Sequence, residues 1–593
     1  MEKSSFQKKH ERLYEGVHVE SYRELLESCA NRFGDAPAFC FKKDPKQKEP
    51  EFIQISYQQH KNEVEAFSSK LLDLGLEGKP VALISPNRYV WPVSYMAITT
   101  GNMIVVPLDY LLPTSEIESL LIRSKAEAVI FDPKYLSFFE ELAQKGSTSL
   151  RYFICMDPIS EKTNPNFYDY PSLLQEGKEL LAQGKSKYAQ VTVNPEQMSI
   201  MLFTSGTTGN AKAVMLSQKG ICSNFSAVTT ILRRYPNDRV LSFLPLHHTF
   251  ECTATYLYSY LNGWEICYSD GIKNIPKNLV EYHITGMVCV PAVLEIMARQ
   301  IKKTIRAKGL TIPFTLLQGL SAFLLFFHID LRRKFFSSIL NQLGGGLRII
   351  IFGSAPADKK VIRFFESIGI DMLQGYGLTE TSPVISCQCD DRRYRKIGSC
   401  GLPLYNQEVK ILEPDEHGVG EILVKGPNIM LGYYENEEAT NESFIDGYFR
   451  TGDLGYLDKK GFLYVTGRKK DVIVLNNGKN IFPQELEDHF NESDFITESF
   501  VFADRKKDSE TKLCVKFVYD PALDIFQGKS ESEIEELILQ DFQKRNQMLP
   551  GYKQVKHVIL TTTPLIRTTT QKIKRHEEEL LCNGKNSKQK VVL

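Results

Sequence analysis

From Ser21 to about Ile130 the chain alternates helix-like stretches, YRELLESCANRF and YQQHKNEVEAFSSKLLDLGL, with short apolar runs, VALISP, MIVVPLD and AEAVIFD. Short apolar runs divided by amphipathic helices predict βαβ units and a largely parallel sheet. Further runs at MSIMLFTS, VLSFLPL, MVCVP and LRIIIFGS each end in a loop rich in Gly, Pro, Ser or Thr. Open α/β sheets bind their ligands at such strand ends. After Gly398 the texture shifts to short strands and turns (EVKILEPDEHGVGEILVKGPNIMLGYY), which predicts an all-β subdomain. After Gly467 a smaller α+β segment opens and runs to about Arg575, and the tail NGKNSKQKVVL is expected to fray. A chain of 593 residues exceeds the ~250–300 residues at which a single core stops growing. The expected division is residues 1–467 and 468–593.

Seventy-two Lys and Arg balance 72 Asp and Glu, so nothing global attracts nucleic acid or an anionic membrane. No nucleic-acid partner is expected, and a homodimer is compatible with the sequence. Twelve scattered cysteines imply a reducing compartment. Cys387, Cys389 and Cys400 lack the paired spacing and fourth ligand of a zinc site and read as buried thiols. The opening MEKSSFQKKHERLYEG carries no apolar signal region, so the expected location is cytoplasmic, with peripheral attachment to the inner membrane face as a variant.

That variant rests on residues 312–327 (IPFTLLQGLSAFLLFF), an apolar run shorter than the ~18–20 residues that span a bilayer. Lys302, Lys303, Arg306 and Lys308 before it and Arg332, Arg333 and Lys334 after it suit a helix lying in a membrane interface. The competing expectation is a buried helix that roofs an apolar tunnel and lines the pocket of an aliphatic substrate.

The sharpest local signal follows the run MSIMLFTS: Phe203, Thr204, Ser205, Gly206, Thr207, Thr208, Gly209, Asn210, Ala211, Lys212. Two glycines let backbone N–H groups turn inward, three threonines and a serine add hydroxyls, and Lys212 adds a cation, all suited to a polyphosphate. A Walker loop needs GxxxxGK[ST]. Here Ala211 stands where the second glycine belongs and Ala213 where the hydroxyl belongs, which rejects that class.

Three further elements follow in order: Gln374-Gly375-Tyr376-Gly377-Leu378-Thr379-Glu380-Thr381, Tyr448 to Gly455 (YFRTGDLG), and Gly467-Arg468-Lys469-Lys470-Asp471, before a final stretch from Pro564 to Arg575 (PLIRTTTQKIKR). Together these resemble the adenylate-forming superfamily of acyl-CoA synthetases, luciferase and peptide-synthetase adenylation domains, and the resemblance spans about Ser21 to Arg575. It implies an α/β fold: a large N-terminal domain of stacked βαβ sheets with a small β-barrel subdomain, and a smaller mobile α+β C-terminal domain.

The resemblance implies roles that the side chains can physically perform. Residues Thr204 to Gly209 and Lys212 would cradle the phosphates of ATP, with Gly375, Tyr376 and Gly377 at the adenine and Thr379 at the α-phosphate. Asp453 can accept from ribose hydroxyls, and Arg468 offers a bidentate fork. Glu380 and Thr204 supply the oxygen ligands that Mg²⁺ prefers. Leu244 to Glu251 (LPLHHTFE) resembles the motif bordering the carboxylate pocket, where His248 aligns with the family histidine. Lys572 would be the catalytic lysine, with Thr204 and His248 beside it. Lys469 would be the hinge, and Gly478 and Lys470 would meet the pantetheine of CoA. Ala211-Lys212-Ala213 and Gln571-Lys572 replace the family's usual Pro-Lys-Gly and Gly-Lys, and both keep the lysine.

The expected activity is ATP- and Mg²⁺-dependent conversion of a long-chain fatty acid to acyl-AMP, then transfer to CoA. The wording FTSGTTGNAKAVMLS and VLNNGKNI, and the Leu- and Phe-rich region between Pro291 and Gly346, resemble long-chain acyl-CoA synthetases. The alternatives are an acyl-acyl-carrier-protein synthetase and a catalytically silent binding protein on the same fold.

Overall fold

The computed structural model describes residues 5–11, 13–160, 164–204, 211–355, 357–475, 479–504, 512–568, 573–583 and 590–592. The βαβ units build two large sheets. In the eight-stranded sheet, Pro80–Ile84 lies between Ile104–Pro107 and Ala128–Phe131, and Met198–Thr204 adds parallel beyond Ile104–Pro107. Lys212–Ser217 then returns antiparallel, and the short strand Gly432–Tyr433 closes that edge. The nine-stranded sheet has a parallel centre of Pro37–Lys42, Glu265–Tyr268, Arg239–Ser242, Gly286–Cys289, Ile349–Phe352 and Asp371–Gly377.

The helix Val90–Thr100 is buried from Trp91 to Thr100. It joins Val81 and Leu83 of one sheet to Phe39 and Ile266 of the other in a shared apolar cluster. A helix apolar on every side must be enclosed, and here the two sheets enclose it.

The all-β expectation after Gly398 is met by a five-stranded antiparallel sheet of Glu408–Leu412, Gly420–Lys425, Phe444–Ile445, Tyr448–Leu457 and Leu463–Arg468. Past a single turn at Lys469–Asp471, a separate apolar cluster forms among residues 473–560. There Glu498–Asp504, Lys512–Val518 and His557–Thr561 pair beside the helices Pro483–Asn491 and Glu531–Gln547. Ser530 accepts from the N–H of Glu533 while the Glu533 carboxylate returns to the N–H of Ser530, so the start of Glu531–Gln547 is doubly capped.

Two expectations are corrected. Within the tail expected to fray, Lys590–Val592 adds an antiparallel strand to the edge strand His557–Thr561, where its backbone completes the ladder. The helix Thr311–Phe326 does not roof a tunnel. It departs at 118° from the helix Pro291–Ala307 and anchors inward through Phe314, whose ring packs on Phe336 and Phe364, and through Leu317. Its other face points outward, with Ile312 74%, Leu316 69% and Phe326 80% exposed.

Candidate active site

A cavity of about 2860 Å³ opens where the strand ends of both sheets meet the five-stranded sheet and the C-terminal segment. Thr204, Lys212, Tyr376, Glu380, Asp453 and Arg468 all line it. The structure therefore gathers residues that are spread over more than two hundred positions of sequence. Helix residues 312–327 are absent from its lining, which corrects the expected source of the apolar wall. Leu108, Leu112, Phe225, Val228, Phe250 and Val290 supply that wall instead.

Thr204 ends its strand opposite Lys212, and its hydroxyl donates to the Lys212 carbonyl at 3.3 Å. Ser205, Gly206, Thr207, Thr208 and Gly209 lie outside the described residues. The Lys212 ammonium sits 4.6 Å above the ring of Tyr433, on the adjoining edge strand. The Tyr433 hydroxyl donates to Glu380 Oε1 at 3.0 Å, and the Glu380 carbonyl accepts from the N–H of Met430 at 2.8 Å. One tyrosine thus orders the cation on its face and the carboxylate at its hydroxyl. Burial, and then the adjacent Glu380 charge, hold the Tyr433 phenol well above its ordinary pKa, so it stays a donor.

Glu380 rides on the single turn Thr379–Thr381, directly after the strand carrying Gly375, Tyr376 and Gly377. At Gly377 an added Cβ would fall 1.7 Å from the Pro383 carbonyl oxygen, so the strand can pass there only without a side chain. Gly375 has no such constraint: its nearest neighbour would be the Cys387 sulfur at 3.8 Å.

Asp453 is buried, and both of its oxygens are engaged. Tyr376 Oη donates to Oδ2 at 2.8 Å, and Arg468 Nε faces Oδ1 at 3.1 Å from the neighbouring strand. Burial, then the Asp453 charge, push the Tyr376 hydroxyl well above its ordinary pKa. A ribose that used Asp453 would have to share its oxygens with these two donors.

His248 lines the same cavity beside His247, ring centroids 4.3 Å apart. His247 Nε2 stands 3.6 Å from Asp109 Oδ2, and ligand atoms of Asp109, His247 and His248 all lie within 4.8 Å of one another. Behind them Glu251 is fully buried, accepting from Ser242 Oγ at 2.7 Å and Thr255 Oγ1 at 2.8 Å. Burial raises its carboxyl to about 8.

On the C-terminal side, Lys469 Nζ meets Glu421 Oε2 at 3.0 Å, and Glu421 also holds Arg450 at 2.8 Å. Burial, with Arg468 beside it, lowers the pKa of Lys470. Gly478 and Lys572 lie outside the described residues. Of the chain around Lys572, Thr568 and Ile573 line the cavity that holds Glu380. Sequence reasoning missed Tyr433, Asp109 and His247. Tyr433 sits in GYYE, which reads as a turn, while an adjacent His-His pair was a signal that called for a nearby carboxylate.

A model of the AMP-binding enzyme family matches residues 26–434. Fatty acyl-CoA synthetase B of Dictyostelium discoideum is 28% identical over 94% of this chain and 88% of its own length. A long-chain-fatty-acid–CoA ligase of Salmonella typhimurium is 30% identical over 79% of this chain and 80% of its own. Among solved structures, an anthranilate CoA ligase in complex with anthranoyl-AMP shares the fold with a TM-score of 0.73 at 19% identity, over 95% of this chain and 97% of that one. With the family match covering most of the chain and the cavity built at the strand ends of that fold, the chain belongs to the AMP-binding enzyme family.

Proposed function

We propose that the protein is a long-chain fatty acid–CoA ligase that works through an acyl-adenylate. A fatty-acid carboxylate oxygen attacks the α-phosphorus of ATP, forming an O–P bond as the bond to pyrophosphate breaks. The CoA sulfur then attacks the acyl carbon, the bond to AMP breaks, and the thiol proton leaves to solvent. Chemistry of this kind needs positioned charge rather than an enzyme nucleophile. Lys212 carries charge toward the phosphates, and Tyr376, Asp453 and Arg468 hold the nucleoside. Glu380 and Thr204 would hold Mg²⁺, which supplies charge neutralisation, and Tyr433 fixes the Glu380 carboxylate for that task. The residues from Lys469 onward form the mobile unit, with Lys572 serving the first step and Gly478 and Lys470 meeting CoA in the second.

The observation that carries this reading is one cavity shared by the polar group Lys212–Glu380–Asp453–Arg468 and an apolar wall including Leu108, Phe225, Val228 and Val290. Each methylene buried on such a wall gains ~0.8 kcal/mol. Incubation with ATP, Mg²⁺ and acids from acetate to palmitate, with either CoA or phosphopantetheinyl carrier protein, tests it. Turnover to AMP and pyrophosphate should rise with chain length and require CoA. Acetate or an aromatic acid as best substrate would remove the fatty-acid assignment, and transfer to carrier alone would move the acceptor.

A further inference from the structure

The helix Thr311–Phe326 leaves a continuous apolar stripe in solvent. Ile312, Leu316, Leu320, Phe323 and Phe327 recur at helical spacing on one face, all exposed. Among the described residues no single helix is long and apolar enough to cross a membrane. A face of this kind can instead lie along a surface, and what that surface is can be argued from the charge beneath the helix.

A second cavity, of about 330 Å³, opens at the base of this helix, lined by Gln318, Ser321 and Leu325 on one side and by Arg332, Arg363, Arg392 and Arg395 on the other. Its lining holds four arginines against one acid, Glu366. Part of that charge is spent. Arg332 is forked on Asp330, and Arg395 Nη2 donates to Asp371 Oδ1 at 2.9 Å and to the Asp390 carbonyl at 3.1 Å. Arg392 reaches Asp371 at 3.7 Å. The rest is unspent. The Arg395 side chain is 6% exposed, yet its Nε and Nη1 make no hydrogen bond among the described residues, Nη1 standing 3.6 Å from Glu366 Oε1. Ser321 is 3% exposed, and its hydroxyl is likewise without a partner among the described residues. Arg363 is exposed and makes no ion pair among the described residues. The crowding of guanidinium groups is itself costly: burial, and then Arg332, lower the pKa of Arg392. Buried donors left unpaired and like charges pressed together are both relieved by an anion with several acceptor oxygens.

We propose that the helix Thr311–Phe326 and the arginine cavity behind it form one docking site for an anionic phospholipid membrane, the apolar stripe entering the acyl boundary and the cavity taking a phosphate-bearing headgroup. Exposed Lys302, Lys303, Arg306 and Lys308 at the end of the preceding helix, and Lys334 after it, extend the positive surface around the stripe. The arginine cavity shares no lining residue with the catalytic cavity, which Lys302, Lys303 and Arg306 also line, and the proposal does not depend on which acid the enzyme activates.

Sedimentation of the full chain with vesicles tests this, using phosphatidylcholine alone and phosphatidylcholine mixed with phosphatidylglycerol. Wild type should bind the mixed vesicles at least about tenfold better than the neutral ones. Replacing Phe323, Phe326 and Phe327 together with serine should abolish binding to both. Arg363→Glu, at an exposed position where folding is not at stake, should remove most of the preference for the mixed vesicles, and Arg395→Gln should do the same if its circular dichroism is native. Any of these outcomes overturns the proposal: equal binding to both vesicle types; unchanged binding by the triple variant; a preference untouched by Arg363→Glu; or self-association that buries the helix and excludes vesicles. Inorganic phosphate that raises the thermal midpoint of a protein with no vesicle binding would show a free-anion site, and would overturn the proposal too.

Discussion

The Tyr376 hydroxyl donates to Asp453 Oδ2 at 2.8 Å, and this bond ties the end of a strand in the nine-stranded sheet to the middle of a strand in the five-stranded sheet. Tyr376→Phe keeps the ring and deletes the donor, so a buried carboxylate oxygen loses a partner at a cost of about 1–3 kcal/mol. The expected result is a lower urea midpoint with unchanged slope, and a raised KM for ATP with little change for the acid. A variant with wild-type stability would mean that the bond is replaced by water.

The chain Lys212–Tyr433–Glu380 separates two contributions of one side chain. Tyr433→Phe retains the ring under the Lys212 ammonium and loses the donor to Glu380 Oε1. A hydrogen bond worth ~1 kcal/mol corresponds to roughly fivefold, so half-maximal adenylation should need about fivefold more Mg²⁺. Tyr433→Leu removes both contacts and should also raise the KM for ATP. Pyrophosphate exchange across a Mg²⁺ series reads the two effects apart.

Glu251 gives a pH signature. Its carboxyl is raised by burial to about 8, so the folded chain holds a proton that the unfolded chain releases in the ordinary carboxylate range. Stability from this group is intact below that range and is lost as pH rises toward about 8, beyond which the loss is complete. Glu251→Gln carries no such proton. Urea midpoints from about pH 5 to about pH 9 should fall for wild type and stay flatter for the variant, a difference on the order of a few kcal/mol at the alkaline end.

The βαβ order and the strand-end loops were legible because burial forces runs such as VALISP and LRIIIFGS to be apolar whatever else they do. Lys212, Tyr376, Glu380, Asp453 and Arg468 could be singled out because turn-forming glycines flank nearly all of them, and the structure brings all five to one cavity. Tyr433 could not be singled out. Its importance lies in a two-residue edge strand whose pairing with Lys212–Ser217 is a long-range fact. The helix Thr311–Phe326 was equally opaque, since apolar residues surround it almost evenly and leave its periodicity unable to say which face turns inward. Phe314 decides that by finding Phe336 and Phe364, which are distant in sequence, and Leu317 packs against the same cluster.

The last prediction sets Lys572 against Lys574. Lys574 is committed: its ammonium pairs with Glu577 Oε1 at 2.9 Å and its N–H donates to the Ile566 carbonyl at 2.9 Å. Lys572 itself is outside the described residues, but Thr568 and Ile573 bring the chain on both sides of it to the cavity that holds Lys212 and Glu380. Under the proposed function its charge acts while the α-phosphate is under attack, where a contact of this type is worth about 3–4 kcal/mol. Lys572→Ala should therefore slow adenylation by about 10²–10³-fold. If the unit beyond Lys469 turns between the two steps, thioester formation from supplied acyl-adenylate should be nearly untouched. Lys574→Ala should lower stability slightly and leave both steps within a few-fold, as an exposed i,i+3 pair is worth less than ~1 kcal/mol. Rapid-mixing kinetics of each step decide the matter. Equal losses in both steps for Lys572→Ala would sink the turning unit, and a larger adenylation loss for Lys574→Ala would transfer the catalytic role to that residue.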